Sequence, residues 1–163
     1  LTGLLDPARV DSLHYFGGTK FRDGKMATFL KTELKLEPGQ KPLLEAAIAA
    51  LSAEAKLTSQ QEIDARDASR IEEGRKHLAG RTLSCTDCHK FHEAEGDDTA
   101  PDLTGYGSRA WLKEFISSPE HERFYGERND RMPSFGTEKM LTEQEIGLVA
   151  DWLRGEWYTP EKK

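Results

Sequence analysis

Apolar positions recur at helical spacing in several stretches of the chain and alternate at strand spacing in none. From Pro42 to Ala55, residues Leu43, Leu44, Ala47, Ile48 and Leu51 share one face of a 3.6-residue period, after the breaker-rich "EPGQKP". The pattern predicts an Ala-rich amphipathic helix. A second helix is expected over "LTSQQEIDARDASRIEEGRKHLAG", with Ser59 and Glu62 spaced as a capping box and Gly80 as the stop. "SRAWLKEFISSP" reads as a short helix ended before Pro119. A last helix begins at Thr142, where Glu145 completes another capping box, and carries a stripe of Ile146, Val149, Ala150 and Leu153. Between these lie the polar, Gly- and Pro-bearing stretches "EAEGDDTAPDLTGYG" and "EHERFYGERNDRMPSFGTEKM". The expectation is an all-α fold of short helices and long loops, and long loops in a small domain call for something to wrap around.

Charge and composition narrow the partners. Across 163 residues, 23 Lys and Arg face 29 Asp and Glu, a net charge of -6 spread along the chain, which argues against nucleic acid. With 36% hydrophobic and 32% charged residues the core is lean enough to need help from a cofactor or a neighbouring protein. No apolar run approaches the roughly 20 residues that span a bilayer. "LTGLLDP" lacks the basic start and cleavage site of a signal peptide, so Leu1 is read as a processing boundary with any targeting segment or anchor before it.

The chain has two cysteines, Cys85 and Cys88, and His89 follows the second directly. A disulfide across so short a loop would add little stability. Three chemistries fit Cys-x-x-Cys-His. A redox dithiol wants the cysteines at a helix start in a strand-rich setting, and no strands flank them. A structural zinc site wants four ligands; His92 could join, but there is no second Cys pair. In the third, two thiols add to the two vinyl groups on one porphyrin edge and the histidine reaches the iron from that face. That iron needs a sixth ligand or an open position. Met132, in a charged, turn-rich loop and followed by Pro133, is the leading candidate, with Met140 as its competitor. His92 stands too close to His89 to reach the opposite face, and His121 is more distant in the chain.

The order of helix, Cys-x-x-Cys-His, "APDLTGYGSRAWL", "RMPSF" and terminal "EIGLVADWLRGE" resembles class I cytochrome c over residues 60 to 158. The resemblance implies a helical shell around one covalently bound haem c, with His89 and Met132 as axial ligands. It implies that Gly74 and Trp152 mark the crossing of the first and last helices of that shell. Pro101 matches the residue whose carbonyl takes the axial histidine's Nδ1–H, and Tyr106, Arg109 and Trp111 match groups near the haem propionates. A haem with two protein ligands leaves no room for substrate, so the implied function is one-electron transfer, by a carrier that is not itself an enzyme. The alternative is a di-haem cytochrome c peroxidase-like enzyme, in which one haem opens a coordination position. The implied partners are redox proteins: a membrane quinol-oxidising complex of the cytochrome bc type on one side and an oxidase or soluble cytochrome on the other. Covalent attachment follows export, so the implied location is periplasmic or an equivalent extracytoplasmic side, anchored to or part of an inner-membrane complex.

The chain also resembles itself. "LTGLLDPARVDSLHYFGGTKFRDGKMATFL" parallels "LKEFISSPEHERFYGERNDRMPSFG": each has an apolar start, a proline, an aromatic pair before glycine (Tyr15-Phe16-Gly17, Phe124-Tyr125-Gly126), and a basic residue before methionine (Lys25-Met26, Arg131-Met132). The interval from Gly to Met is longer in the first copy, and Ala27 stands where Pro133 follows Met132. Residues 1–57 are thus expected to be the C-terminal half of a first cytochrome c-like domain, truncated or degenerate, and 58–163 a complete mono-haem domain. Met26 would be the ligand of a second haem lying outside this chain.

Overall fold

In a computed structural model of the chain, the first regular element, α1 (Lys25–Thr28), widens into a π-helical turn over Phe29–Glu33. The Ala-rich stretch follows as α2 (Lys41–Ala53), with Pro42 in its first turn, where a missing N–H costs nothing. The structure describes residues 2–34, 37, 39–97, 99–129 and 131–157. Pro38 of the breaker before α2, and the tail from 158 that the sequence assigns to the second domain, lie outside the described residues. Among those described no strand forms, and the fold is all-α; Phe91 and Ala94 share an isolated antiparallel bridge.

The helix expected to start at Ser59 is built differently. A 3-10 turn over Thr58–Gln60 leads into α3 (Gln61–Arg66), which breaks at Asp67 before α4 (Ala68–Ala79), and no side chain caps the turn. The Thr58 N–H donates instead to the Glu156 carboxylate at 2.8 Å, so a tertiary partner takes a donor that a local cap would have served. Gly80 ends α4 as expected. α5 (Arg109–Ser117) is capped by Ser108 Oγ, which accepts the Trp111 N–H. α6 (Glu143–Leu153) opens with the expected box, in which Thr142 and Glu145 accept each other's backbone N–H.

The main core joins α2 to α4 and to the segment after it: Leu44, Ala47, Ala50 and Leu51 pack with Ile71, Leu78, Leu83 and Phe91. A smaller cluster of Val10, Ala27 and Leu30 holds the N-terminal segment, and Leu5 and Leu34 touch both. α2 and α4 approach closely because each is small at the crossing. A Cβ on Gly74 would stand 2.0 Å from the Ala46 carbonyl oxygen and 2.9 Å from the Ala50 methyl. Gly74→Ala is therefore expected to force the helices apart and lower the unfolding free energy by ~1–3 kcal/mol. Denaturant unfolding reads this directly, and an unchanged midpoint would mean the crossing can yield.

The expected crossing of Gly74 with Trp152 is not what forms. α2 occupies the Gly74 face, and Trp152 is 65% exposed. The Ala-rich face of α2 reaches Gly74 to backbone contact and so covers the surface that an aromatic of α6 was expected to meet. α6 packs instead on α5 with Ile146, Gly147 and Ala150 buried, while Val149 and Leu153 of the predicted stripe stay exposed.

Candidate functional site

The chain leaves α4 through Ser84, whose φ of 52° is left-handed, and enters a 3-10 turn over Cys85–Asp87. The His89 N–H donates to the Cys85 carbonyl at 3.0 Å, so both sulfurs and the imidazole issue from one tight turn. Both cysteines are half-buried and unbridged. Cys85 packs on the core cluster that includes Leu83 and Phe91, and Leu103 and Tyr106 pack there too. Burial pushes its thiol up to about 11, so at neutral pH it is protonated. A redox dithiol requires the opposite, a depressed thiol in an electropositive setting. Zinc fares no better, since among the described residues no group of three or more His, Cys, Asp or Glu gathers to hold a metal ion.

His89 Nδ1 lies 2.7 Å from the Pro101 carbonyl oxygen. A carbonyl only accepts, so Nδ1 carries the hydrogen and Nε2 keeps the lone pair. Burial holds the imidazole below its ordinary pKa of 6.5, against the opposing pull of the Pro101 carbonyl and of Asp97. The side chain is therefore a neutral base with Nε2 available, which is the form a metal takes.

The loop that carries Pro101 closes on the motif because Gly96 lets it. A Cβ there would stand 2.6 Å from the His89 carbonyl carbon and 2.9 Å from the Cys88 oxygen. The two arms of the loop are then zipped together. Leu103 N–H donates to Lys90 O at 2.9 Å and His92 N–H to Thr104 Oγ1 at 2.7 Å, while within the Pro101 arm Thr104 N–H donates to Asp102 Oδ1 at 2.7 Å. Arg123 pins this arm from outside, donating to Asp102 Oδ2 at 3.2 Å and Thr104 O at 2.8 Å while pairing with Glu114. None of Gly96, Asp102, Thr104 or Arg123 stood out in the sequence. The spacing Asp-x-Thr, a side chain accepting from a backbone N–H two positions on, was the one readable signal.

Met132 is half-buried in a loop fixed on both sides. Asn129 brackets it, donating Nδ2–H to the Met132 carbonyl at 2.8 Å and accepting its N–H at 3.3 Å. Beyond it, Ser134 hydrogen-bonds Glu120, and the Gly136 and Thr137 N–H groups donate to the Ser117 carbonyl at the end of α5. Met140 is 55% exposed. His121 lines a separate cleft with Lys113, Glu143 and Ile146, and His92 turns away from the motif toward Glu54. Tyr106 stays against the core and edge-on to Trp111, at 5.1 Å between ring centroids. The other two residues expected at propionates commit their polar atoms within the protein. Trp111 is buried with Nε1–H on the Asp102 carbonyl at 2.9 Å, and Arg109 grips Asp151 of α6 at 2.6 and 3.0 Å. Both serve the shell: one anchors the Pro101 arm, the other ties α5 to α6.

Met26 lies in α1, half-buried beside Val10, Ala27 and Leu30. The two chain segments that look alike in sequence also share a backbone pattern ahead of their methionines. Phe16 N–H reaches Val10 O and Gly17 N–H reaches Ser12 O, as Tyr125 N–H reaches Pro119 O and Gly126 N–H reaches His121 O. The Ser12-to-Arg9 and Thr19-to-Phe16 bonds likewise correspond to His121-to-Ser118 and Arg128-to-Tyr125. The copies part company at the methionine itself, since Met26 is helical and Met132 sits in the Asn129 turn.

A family model for cytochrome c matches residues 71–157, from within α4 to just past α6. Comparison with curated proteins and with solved structures returned no match. The donor set agrees with the group that this family carries: two thiols and a neutral imidazole on one turn, apolar side chains around Cys85, and a glycine-closed loop holding the imidazole's other nitrogen.

Proposed function

The chain belongs to the cytochrome c family, whose members carry covalently bound haem c and transfer electrons, and from that premise we propose that Cys85, Cys88, His89 and Met132 hold one haem c in this protein. When bound, that group supplies a one-electron Fe(III)/Fe(II) couple. The observation that carries the assignment is the 2.7 Å contact from His89 Nδ1 to the Pro101 carbonyl. It fixes the tautomer, aims Nε2 away from the loop and raises the ring's basicity as a ligand. Cys85 and Cys88 supply the two sulfurs for thioether attachment, and Asn129 presents Met132 in a loop that its neighbours hold still. Tyr106, Arg109 and Trp111 are the candidates for contact with the bound group near its propionates, while Arg109 also holds Asp151 and Trp111 the Asp102 carbonyl.

The test is the matured wild-type protein. Its mass after denaturation should exceed that of the polypeptide by one haem, located on the peptide that contains Cys85 and Cys88, and it should titrate as a single one-electron couple. A mass equal to the bare chain would overturn the assignment.

The larger setting is proposed on the same footing. Residues 1–57 are the C-terminal half of another cytochrome c-like unit, with Met26 in the ligand position of a second haem, and the recurring backbone pattern before Met26 and Met132 supports this. A tandem of this kind suits a subunit of a respiratory complex at the extracytoplasmic face of a membrane. It would take electrons from a quinol-oxidising module and pass them to an oxidase or soluble cytochrome. The net charge of -6 favours a partner with a basic docking patch. No helix among the described residues is long and apolar enough to cross a membrane.

A further inference from the structure

Glu54 is where local sequence logic would not put a negative charge. It follows α2 at the C-terminal end, which the helix dipole makes unfavourable for a carboxylate, and it is only 5% exposed. Burying a charge is costly unless donors surround it, and here they do. Glu54 Oε2 accepts the Gly105 N–H at 2.8 Å, Oε1 lies 3.1 Å from His92 Nε2, and the Arg75 guanidinium of α4 stands 3.7 Å away. A carboxylate only accepts, so His92 Nε2 carries the hydrogen.

These partners lie on the two arms that flank the axial imidazole. His92 closely follows His89, and Gly105 closely follows Pro101. Between them run the His89 to Pro101, Leu103 to Lys90 and His92 to Thr104 hydrogen bonds. Glu54 closes the far end of this ladder from a different part of the chain. The join is reinforced next door, where Arg154 donates to the carbonyls of Ala55 and Gly107 at 2.6 and 2.9 Å. We propose that Glu54 is a positioning residue for the His89 and Pro101 arms and, as a buried negative charge, lowers the reduction potential of the iron that His89 holds. The inference rests on the haem reading above. Its physical basis is that the ferric state carries one more positive charge than the ferrous, so a carboxylate buried behind the His89 loop, shielded from solvent and only partly offset by the half-exposed Arg75 guanidinium, stabilises the oxidised form. It also gives the N-terminal segment a role in the electron-transfer unit, because α2 delivers the charge.

Redox titration of the haem-loaded full chain tests this. Glu54→Gln keeps the shape and can still accept from Gly105, so it removes little besides the charge. It should move the equilibrium toward the ferrous form by about tenfold, or ~59 mV for one electron, and the shift should persist at high salt. Glu54→Asp keeps the charge and should stay near the wild-type potential. A change in melting behaviour with no change in potential would mark Glu54 as merely structural and overturn the proposal, as would an Asp variant that shifts as far as the Gln variant. If Glu54→Gln takes up no haem, Arg75→Gln reads the same position with the opposite sign. Loss of that half-exposed cation should lower the potential, and an unchanged value would sink the idea. Failure of the haem reading itself would show separately and earlier, as a wild-type protein without covalent haem.

Discussion

A chain carrying Cys85→Ser and Cys88→Ser, produced in cells that mature c-type cytochromes, is expected to carry no covalent haem. The reason is chemical: a thioether to the porphyrin edge needs sulfur, and serine hydroxyls do not add in its place. The structure sharpens the result by separating it from other cysteine chemistry. Cys85 is half-buried among apolar groups with its thiol pushed up to about 11, so it is a poor thiolate for disulfide exchange. The mass of the denatured double variant should fall to that of the bare polypeptide. Because the lean core shares residues with the motif, far-ultraviolet circular dichroism should show lost helix as well. Haem still attached to the double serine variant would overturn the assignment.

The second large effect belongs to Met132. Met132→Ala should abolish the weak long-wavelength band by which a thioether bonded to ferric haem is recognised. It should also lower the reduction potential by on the order of a hundred millivolts, within the ~0.8 V range that axial ligands command. The sign follows from ligand softness, since a thioether favours Fe(II) and its loss favours Fe(III). Met26→Ala and Met140→Ala serve as controls and should leave the band unchanged. Met140 is mostly exposed, and Met26 packs with Val10, Ala27 and Leu30. A band that survives in Met132→Ala and disappears in either control would reassign the ligand. A high-spin ferric spectrum in the wild type would favour the peroxidase-like alternative, because it would mean that the sixth position is already open.

Local features of the site were readable because they depend on neighbours in sequence. Cys85, Cys88 and His89 form one turn, the Thr142 cap is satisfied within its own first turn, and Pro119 ends α5 by its own geometry. Features that depend on distant partners were not readable. The Thr58 N–H finds Glu156, the Pro101 arm is pinned by Arg123, and Glu54 is buried by Gly105 and His92. Arg109 and Trp111 illustrate the boundary well. Their residue types suit anionic or apolar contact, yet whether that contact is a ligand or Asp151 and the Asp102 carbonyl depends on where α6 and the loop come to lie.

Sequence alone determined that the chain is helical, that a Cys-x-x-Cys-His turn follows one helix, that a methionine preceded by a basic residue follows each of two aromatic-glycine pairs, and that the family is cytochrome c. Those properties rest on short-range periodicity, capping and motif chemistry, which a few adjacent residues suffice to specify. Tertiary structure alone decided which helix covers Gly74 and which carboxylate stands behind the His89 loop. Both are contests between groups far apart in the chain. Close packing settled the first, since Ala46 and Ala50 of α2 meet Gly74 at backbone contact, and the supply of donors settled the second, since a buried carboxylate persists only where N–H groups converge on it.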